Sequence, residues 1–393
     1  MKITLYIVLL FSVKISFAQL SSTDYNGYVK YLFSSSKYPG IDDRFNDHLL
    51  HSRLNTKWYP AQSLTVALEF RTRIFYGEPV EKIPNYADLI KSKQGLINLD
   101  AVLWDEESSI GYVEIDRLWL DWVKDDWQIT LGRQRIAWGT SWAWNPTDLF
   151  NPKAVLDFDY EELPGADAVR VQYYTGPVTK VELAVSPGRN KEDLIVAGLL
   201  SLNQWNYDFN LIAGYKEERW VVGGGWVGDI LDAGFRGEVL VSQASNKIFD
   251  SIFYQLYNLD PLTKDKPAVS FVLSGDYTFP NSFYIHTELL YNSNGTDKYA
   301  TLYSQEAVEL DMLTSARWSI FQEFSYLFTP LLSGGIFAIY NPDDKSYVIV
   351  PLASYSIITN LDLYLTGLLF GGDSLTEFGD LGNSLFFRLK YSF

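Results

Sequence analysis

The sequence predicts an all-β protein: a transmembrane, antiparallel, up-and-down β-barrel of about eighteen strands. Three observations carry that expectation. Segments of about ten residues alternate apolar and polar side chains along most of the chain, the connections between them sort into a short set and a long set, and the last segment alternates up to a terminal Phe393. Membrane barrels alternate lipid-facing and lumen-facing residues, and single-chain bacterial examples have even strand numbers, short periplasmic turns and long outer loops.

The chain opens MKITLYIVLLFSVKISFAQ. Lys2, the apolar run from Ile3 to Val13 and the small-x-small pair Ser16 and Ala18 read as a secretory signal peptide over residues 1–18, leaving 19–393 as one barrel domain. That run is well short of the roughly 20 residues a spanning helix needs, and no later stretch approaches it. Aromatics are abundant (12 Trp, 27 Tyr, 24 Phe), yet mean hydropathy is only -0.06. Alternation averages to such a value. The absence of Cys removes disulfides and thiolate metal sites, and no cofactor is expected. Net charge is -16, becoming -18 with the two lysines of the leader removed, which argues against nucleic acid and anionic headgroups as partners. A pore's preference depends instead on the charges that line it.

Candidate strands lie at 27–35, 48–59, 63–75, 111–123, 127–138, 166–175, 178–186, 193–202, 205–215, 219–228, 232–243, 268–279, 282–292, 315–327, 331–341, 346–358, 361–371 and 382–393. The segment 63–75 alternates most cleanly, with Leu64, Val66, Leu68 and Phe70 opposed to Thr65, Glu69, Arg71 and Arg73. The segment 194–202 alternates poorly but is needed for even parity. With it included, one end carries only short links, such as Lys124 to Asp126 and Asn203 to Gln204, and the other carries 76–110, 139–165, 244–267, 293–314 and 372–381. A short helix is expected within 84–97. The last strand sets Leu385, Phe387, Leu389, Tyr391 and Phe393 against Ser384, Arg388, Lys390 and Ser392. It resembles the ending that the barrel-insertion machinery reads, so that machinery and outer-membrane lipid are expected partners of a protein lodged in a Gram-negative outer membrane.

Alternation slips around the hairpin at 114–135. Leu118, Leu120 and Trp122 share a face with Glu114 and Asp116, and Arg133 and Arg135 share one with Ile129 and Leu131. A bulge would re-aim half of each strand. Arginine at the membrane midplane costs ~2 to 4 kcal/mol when it faces lipid, so the charges are assigned to the lumen, with the outer rim as the alternative. The third outer loop, 139–165, is acidic through Asp148, Asp157, Asp159, Glu161 and Glu162. The expected constriction sets this loop against Glu69, Arg71, Arg73, Glu114, Asp116, Arg117, Arg133, Arg135 and Arg170, and selects small hydrophilic solutes for passive passage. Trp142 and Trp144 read as interfacial girdle residues, with a sugar-stacking surface as the alternative.

His286 and Glu288 share a face two residues apart, the one pairing that could support an outer-membrane hydrolase. His48 and His51 point to opposite faces and cannot act together. Catalysis is not expected, and neither is a metal site. A closed accessory barrel of a secretion or surface-assembly complex is the other alternative to a pore.

The run LGRQRIAWGTSWAWNPTDLFNP, Leu131 to Pro152, preceded by VEIDRLWLDW from Val113, resembles a signature of Bacteroidetes-type outer-membrane barrels akin to alginate-export and substrate-selective porins. The resemblance implies a pore or transport-associated barrel. It names no substrate and no binding residue.

Overall fold

An alternating strand can bury its apolar face in lipid and its polar face in a shared lumen only if the sheet closes on itself. The computed structural model describes residues 22–91, 95–151, 156, 162–245, 252–262, 266–310 and 312–393, and over these the sheet does close. Its strands are β1 (Thr23–Lys37), β2 (Phe45–Ala61), β3 (Leu64–Gly77), β4 (Asp100–Glu106), β5 (Ser109–Lys124), β6 (Trp127–Gln134), β7 (Ala166–Tyr174), β8 (Lys180–Ser186), β9 (Ile195–Gln204) and β10 (Tyr207–Lys216). They continue with β11 (Arg219–Ile230), β12 (Ala233–Ser242), β13 (Ala268–Thr278), β14 (Phe283–Asn292), β15 (Trp318–Thr329), β16 (Leu332–Tyr340), β17 (Tyr347–Ile358), β18 (Leu361–Gly371) and β19 (Asn383–Ser392). Each pairs antiparallel with its neighbours, and β1 pairs with β19, leaving no seam between first and last strands.

Eighteen of these strands make the barrel, matching the expected number; β4 is an addition from the second outer loop. It pairs with the outer half of β5, on the edge that β6 vacates when it ends at Gln134. The sequence analysis extends that strand to 138, but residues 135–138 turn into the lumen instead. The expected helix within 84–97 is present only over α2 (Tyr86–Ile90), joined by a second short helix, α1 (Glu78–Lys82). The predicted turn at Asn203 and Gln204 moves two residues on, because those residues pair with Asp208 and Tyr207, and the turn forms at Trp205 and Asn206 with φ 56 and 63. Two successive positive φ values are what a tight two-residue hairpin needs.

The bulge lies in β5. Register with β3 runs Glu69–Arg117 and then Phe70–Ile115, skipping Asp116. On one side of it Ile110, Tyr112 and Glu114 face inward; on the other Leu118 and Leu120 turn out to lipid, 41% and 40% exposed. Gly132 makes a second irregularity in β6. Its φ is 114, and a Cβ there would stand 2.2 Å from the Leu118 carbonyl oxygen. Only glycine takes that backbone without strain.

Candidate pore and its third loop

Loop 3 (135–165) leaves β6 and enters the barrel. Its two arms are clasped by its own polar side chains: Asp148 Oδ1 accepts the amides of Trp138 (2.6 Å) and Gly139 (2.7 Å), and Asn151 Oδ1 accepts that of Ile136 (3.0 Å). Gly139 fits against Asn145, whose Oδ1 a Cβ would meet at 2.4 Å. Three carboxylates from the wall then hold the loop. Glu182 on β8 accepts the Trp138 indole N–H at 2.7 Å. Glu238 on β12 accepts the amides of Thr140 (2.6 Å), Ser141 (2.7 Å) and Thr147 (3.1 Å) and the Thr147 hydroxyl (2.6 Å). Glu288 on β14 accepts the amides of Trp142 (3.2 Å), Ala143 (3.4 Å) and Trp144 (2.7 Å). All three are buried. A buried carboxylate is tolerable where charge-assisted donors converge on it.

Apolar packing completes the seat. Ile136, Trp138, Leu149 and Phe150 pack on Ala166, Ala168, Ala184, Ala197 and Leu199, and the small side chains of that wall leave room for the loop. Trp144 packs with Val272, Leu290, Phe321, Val348 and Phe378. Each large apolar group buried this way contributes about 1.5–3 kcal/mol.

The opposite wall is basic. Across β19, β1, β2 and β3, register places Lys390, Lys30, His51 and Arg73 in one row, and Arg53 and Arg71 in the row beside it. Arg53, with no exposed side-chain area, donates to Asp116 (2.5 Å) and Glu69 (2.7 Å) and stands 3.6 Å from Glu162. Arg71 donates to Glu114 at 2.7 Å, and Arg73, 3.6 Å from the same carboxylate, lies against the rings of Phe75 and Tyr112. His51 is buried in this row, and neither ring nitrogen has a hydrogen-bond partner among the described residues. Glu162 also accepts the Tyr28 hydroxyl at 3.0 Å, so the returning arm of loop 3 meets the basic wall. Above that wall Val80 of α1 and Ala87 of α2 pack on Phe75, Ile110 and Tyr112, bringing loop 2 (78–108) into the mouth.

The site residues read from sequence therefore separate. Glu69, Arg71, Arg73, Glu114 and Asp116 come together on one wall with Arg53. Arg117 is buried beside them and donates to the carbonyls of Asp116 and Leu163. Arg133 gives its donors to Asp167 and to the carbonyls of Ile97 and Ile115, at the seam where β4 replaces β6. Arg135 stands 3.6 Å from Asp148, which is turned into its own loop. Arg170 lies on β7, three strands round the sheet from β3, holding Glu182 through two bonds of 2.5 and 2.8 Å. Asp157 and Asp159 lie outside the described residues.

One expectation is corrected. Trp142 and Trp144 are not girdle residues: Trp144 is buried in the loop's apolar seat, and Trp142, 53% exposed, lies beside Arg236 and His286 on the lumen side. Glu288 accepts loop amides with both oxygens, and His286 is buried beside it, its Nε2 2.9 Å from Ser274 and 3.5 Å from Glu288 Oε2. Missed by the sequence reading were Lys30, Arg53, Arg388 and Lys390 on the basic wall, and Glu182 and Glu238 as anchors. The small-residue run at Ala166, Ala168, Ala184 and Ala197 was the available sign that something large packs there.

No family model matches the chain, and no curated protein does. Solved structures do resemble it. OccAB2 of Acinetobacter baumannii superposes with a TM-score of 0.58 at 9% identity, covering 95% of this chain and 98% of its own. OccAB1 of the same organism gives 0.57 at 8% identity over 97% and 99%. The outer membrane protein opdK from Pseudomonas aeruginosa gives 0.56 at 10% identity over 96% and 100%. At such identities the likeness is one of fold, that of the eighteen-stranded outer-membrane barrels.

Proposed function

We propose that the protein is an outer-membrane channel of a Gram-negative bacterium through which small hydrophilic solutes pass without energy input. The observation that carries this is the division of the lumen: loop 3 is seated on one wall by Glu182, Glu238 and Glu288, and its returning arm faces the Arg53, Arg71 and Arg73 wall through Glu162. Charges of opposite sign across a narrow passage orient water and favour polar over apolar solutes. The eyelet includes Glu69, Glu114, Asp116 and Arg117. Arg135 and Asp148 act on the loop that forms it.

The residues of the Bacteroidetes-type signature are those of the loop-3 clasp, Trp138, Gly139, Asn145, Asp148 and Asn151, which supports kinship with that group. Phe393, whose backbone pairs with Gly27 at 2.9 Å in both directions, closes the barrel and is proposed as the residue the insertion machinery reads. Residues 1–18 are proposed as the leader that brings the chain there.

Liposome swelling tests the reading: vesicles carrying the protein are expected to admit small sugars and amino acids and to exclude larger oligosaccharides. Apolar packing of loops 2 and 3 in the mouth favours one second reading, a closed barrel serving a surface-assembly complex. Vesicles that do not swell although the protein is folded and inserted would establish it.

A further inference from the structure

The lipid-facing wall of a barrel is usually a continuous layer of large apolar side chains. Over β17, β18, β19 and β1 it is not. Outward-facing positions there run Pro351, Gly367, Leu385 and Ser35 across the four strands, with Ala353 beside Leu365. Pro351 has no N–H to give, and the β17–β18 pairing lapses between Ile349–Leu369 and Leu352–Thr366 without a change of register. The small side chains leave a groove of about 630 Å³, walled by Leu365, Leu369 and Leu385. At ~30 Å³ for a group the size of water or a methylene, it has room for an acyl chain of more than a dozen carbons.

The groove does not stay apolar to its end. It runs up the outer half of the strands to Lys37, the last residue of β1, and Arg44, which precedes β2. Both are exposed. Asp42 and Asp43 share that loop, and Asp43 also acts electrostatically on Lys82 of α1. The short turns, the start of β1 and Phe393 lie at the other end, so the cations stand at the level of the outer-leaflet headgroups. That leaflet, in a Gram-negative outer membrane, consists of phosphorylated glycolipids bearing several acyl chains.

We propose that this groove is a binding site for such a glycolipid, one acyl chain lying over Pro351, Ala353 and Gly367 and a phosphate held by Lys37 and Arg44. The proposal rests on the outer-membrane placement and not on transport, and its readout is independent of conductance. It is tested by native mass spectrometry of the full-length protein in detergent, mixed with hexa-acylated, bis-phosphorylated lipid A or with phosphatidylethanolamine. The protein is expected to retain lipid A in preference to the zwitterionic lipid. Lys37→Ala with Arg44→Ala should lower that retention by about fivefold for each cation lost. Ala353→Phe fills the groove with a side chain suited to lipid and leaves both charges in place; it should also lose lipid A. Equal retention of the two lipids, unchanged retention in either variant, or a second copy of the chain in place of lipid would overturn the assignment.

Discussion

Replacing Glu238 by alanine removes the acceptor on which the inner arm of loop 3 rests. Three backbone amides, of Thr140, Ser141 and Thr147, then lose their partner in a buried setting, along with the Thr147 hydroxyl. Each orphaned donor costs ~1–3 kcal/mol. Removing a buried charge returns part of this, because the desolvation penalty of several kcal/mol disappears with it. The net cost falls at about 2–5 kcal/mol and is confined to the loop, since the β11–β12–β13 ladder is backbone to backbone. Thr140, Ser141 and Thr147 should therefore come away from the wall while Glu288 still holds 142–144 and the barrel persists. Unit conductance in planar bilayers is the assay, with heat-modifiable migration on gels as the control for an intact barrel. Glu238→Gln, which keeps one acceptor oxygen, should give an intermediate value. Unchanged conductance of Glu238→Ala in a folded barrel would refute the view that this carboxylate positions the constriction.

Arg71→Glu with Arg73→Glu should move the reversal potential under a salt gradient toward cation preference, because register places both in the basic rows; no movement would remove them from the pore wall. Gly132→Ala should lower the unfolding free energy by ~1–3 kcal/mol, read from the urea midpoint of refolded protein, as φ 114 and the nearby Leu118 carbonyl leave a Cβ no room. In loop 9 (372–382), burial and the neighbouring Asp344 push the Glu377 carboxyl up to about 7. Its partners, Thr314 and Asn341, belong to other outer loops. The folded state binds that proton more tightly than the unfolded chain, so its contribution to loop packing is fully present below about pH 4.5 and is lost as pH rises through about 7. Proteolysis of loop 9 should accelerate between pH 6 and 8, and Glu377→Gln should flatten the dependence.

Strand positions were legible because the period of two recurs on most strands and the last strand keeps one apolar face up to Phe393. Even the bulge at Asp116 left a trace, as a break in alternation that nothing else would repair. The replacement strand β4 was not legible. Ala101, Leu103 and their neighbours form a strand only because β6 departs and leaves the edge of β5 open. The pore wall was legible in part: Arg71, Arg73 and Glu114 follow from alternation, whereas nothing singled out Lys30 and Arg53, and Arg388 and Lys390 were placed on the polar face of the last strand without being joined to the wall. Glu182, Glu238 and Glu288 could not be assigned as anchors, since a carboxylate facing a lumen looks the same in sequence whether it meets water or a loop. Arg133 misled because β6 ends where its neighbours predict continuation, so its partners are Asp167 and backbone carbonyls at a seam.

The most direct test is single-channel recording of the purified mature protein in a planar bilayer, with the reversal potential measured under a salt gradient. A passage lined by the basic wall predicts stable conductance steps with a measurable ion preference. Silence from protein shown to be folded and inserted would contradict it.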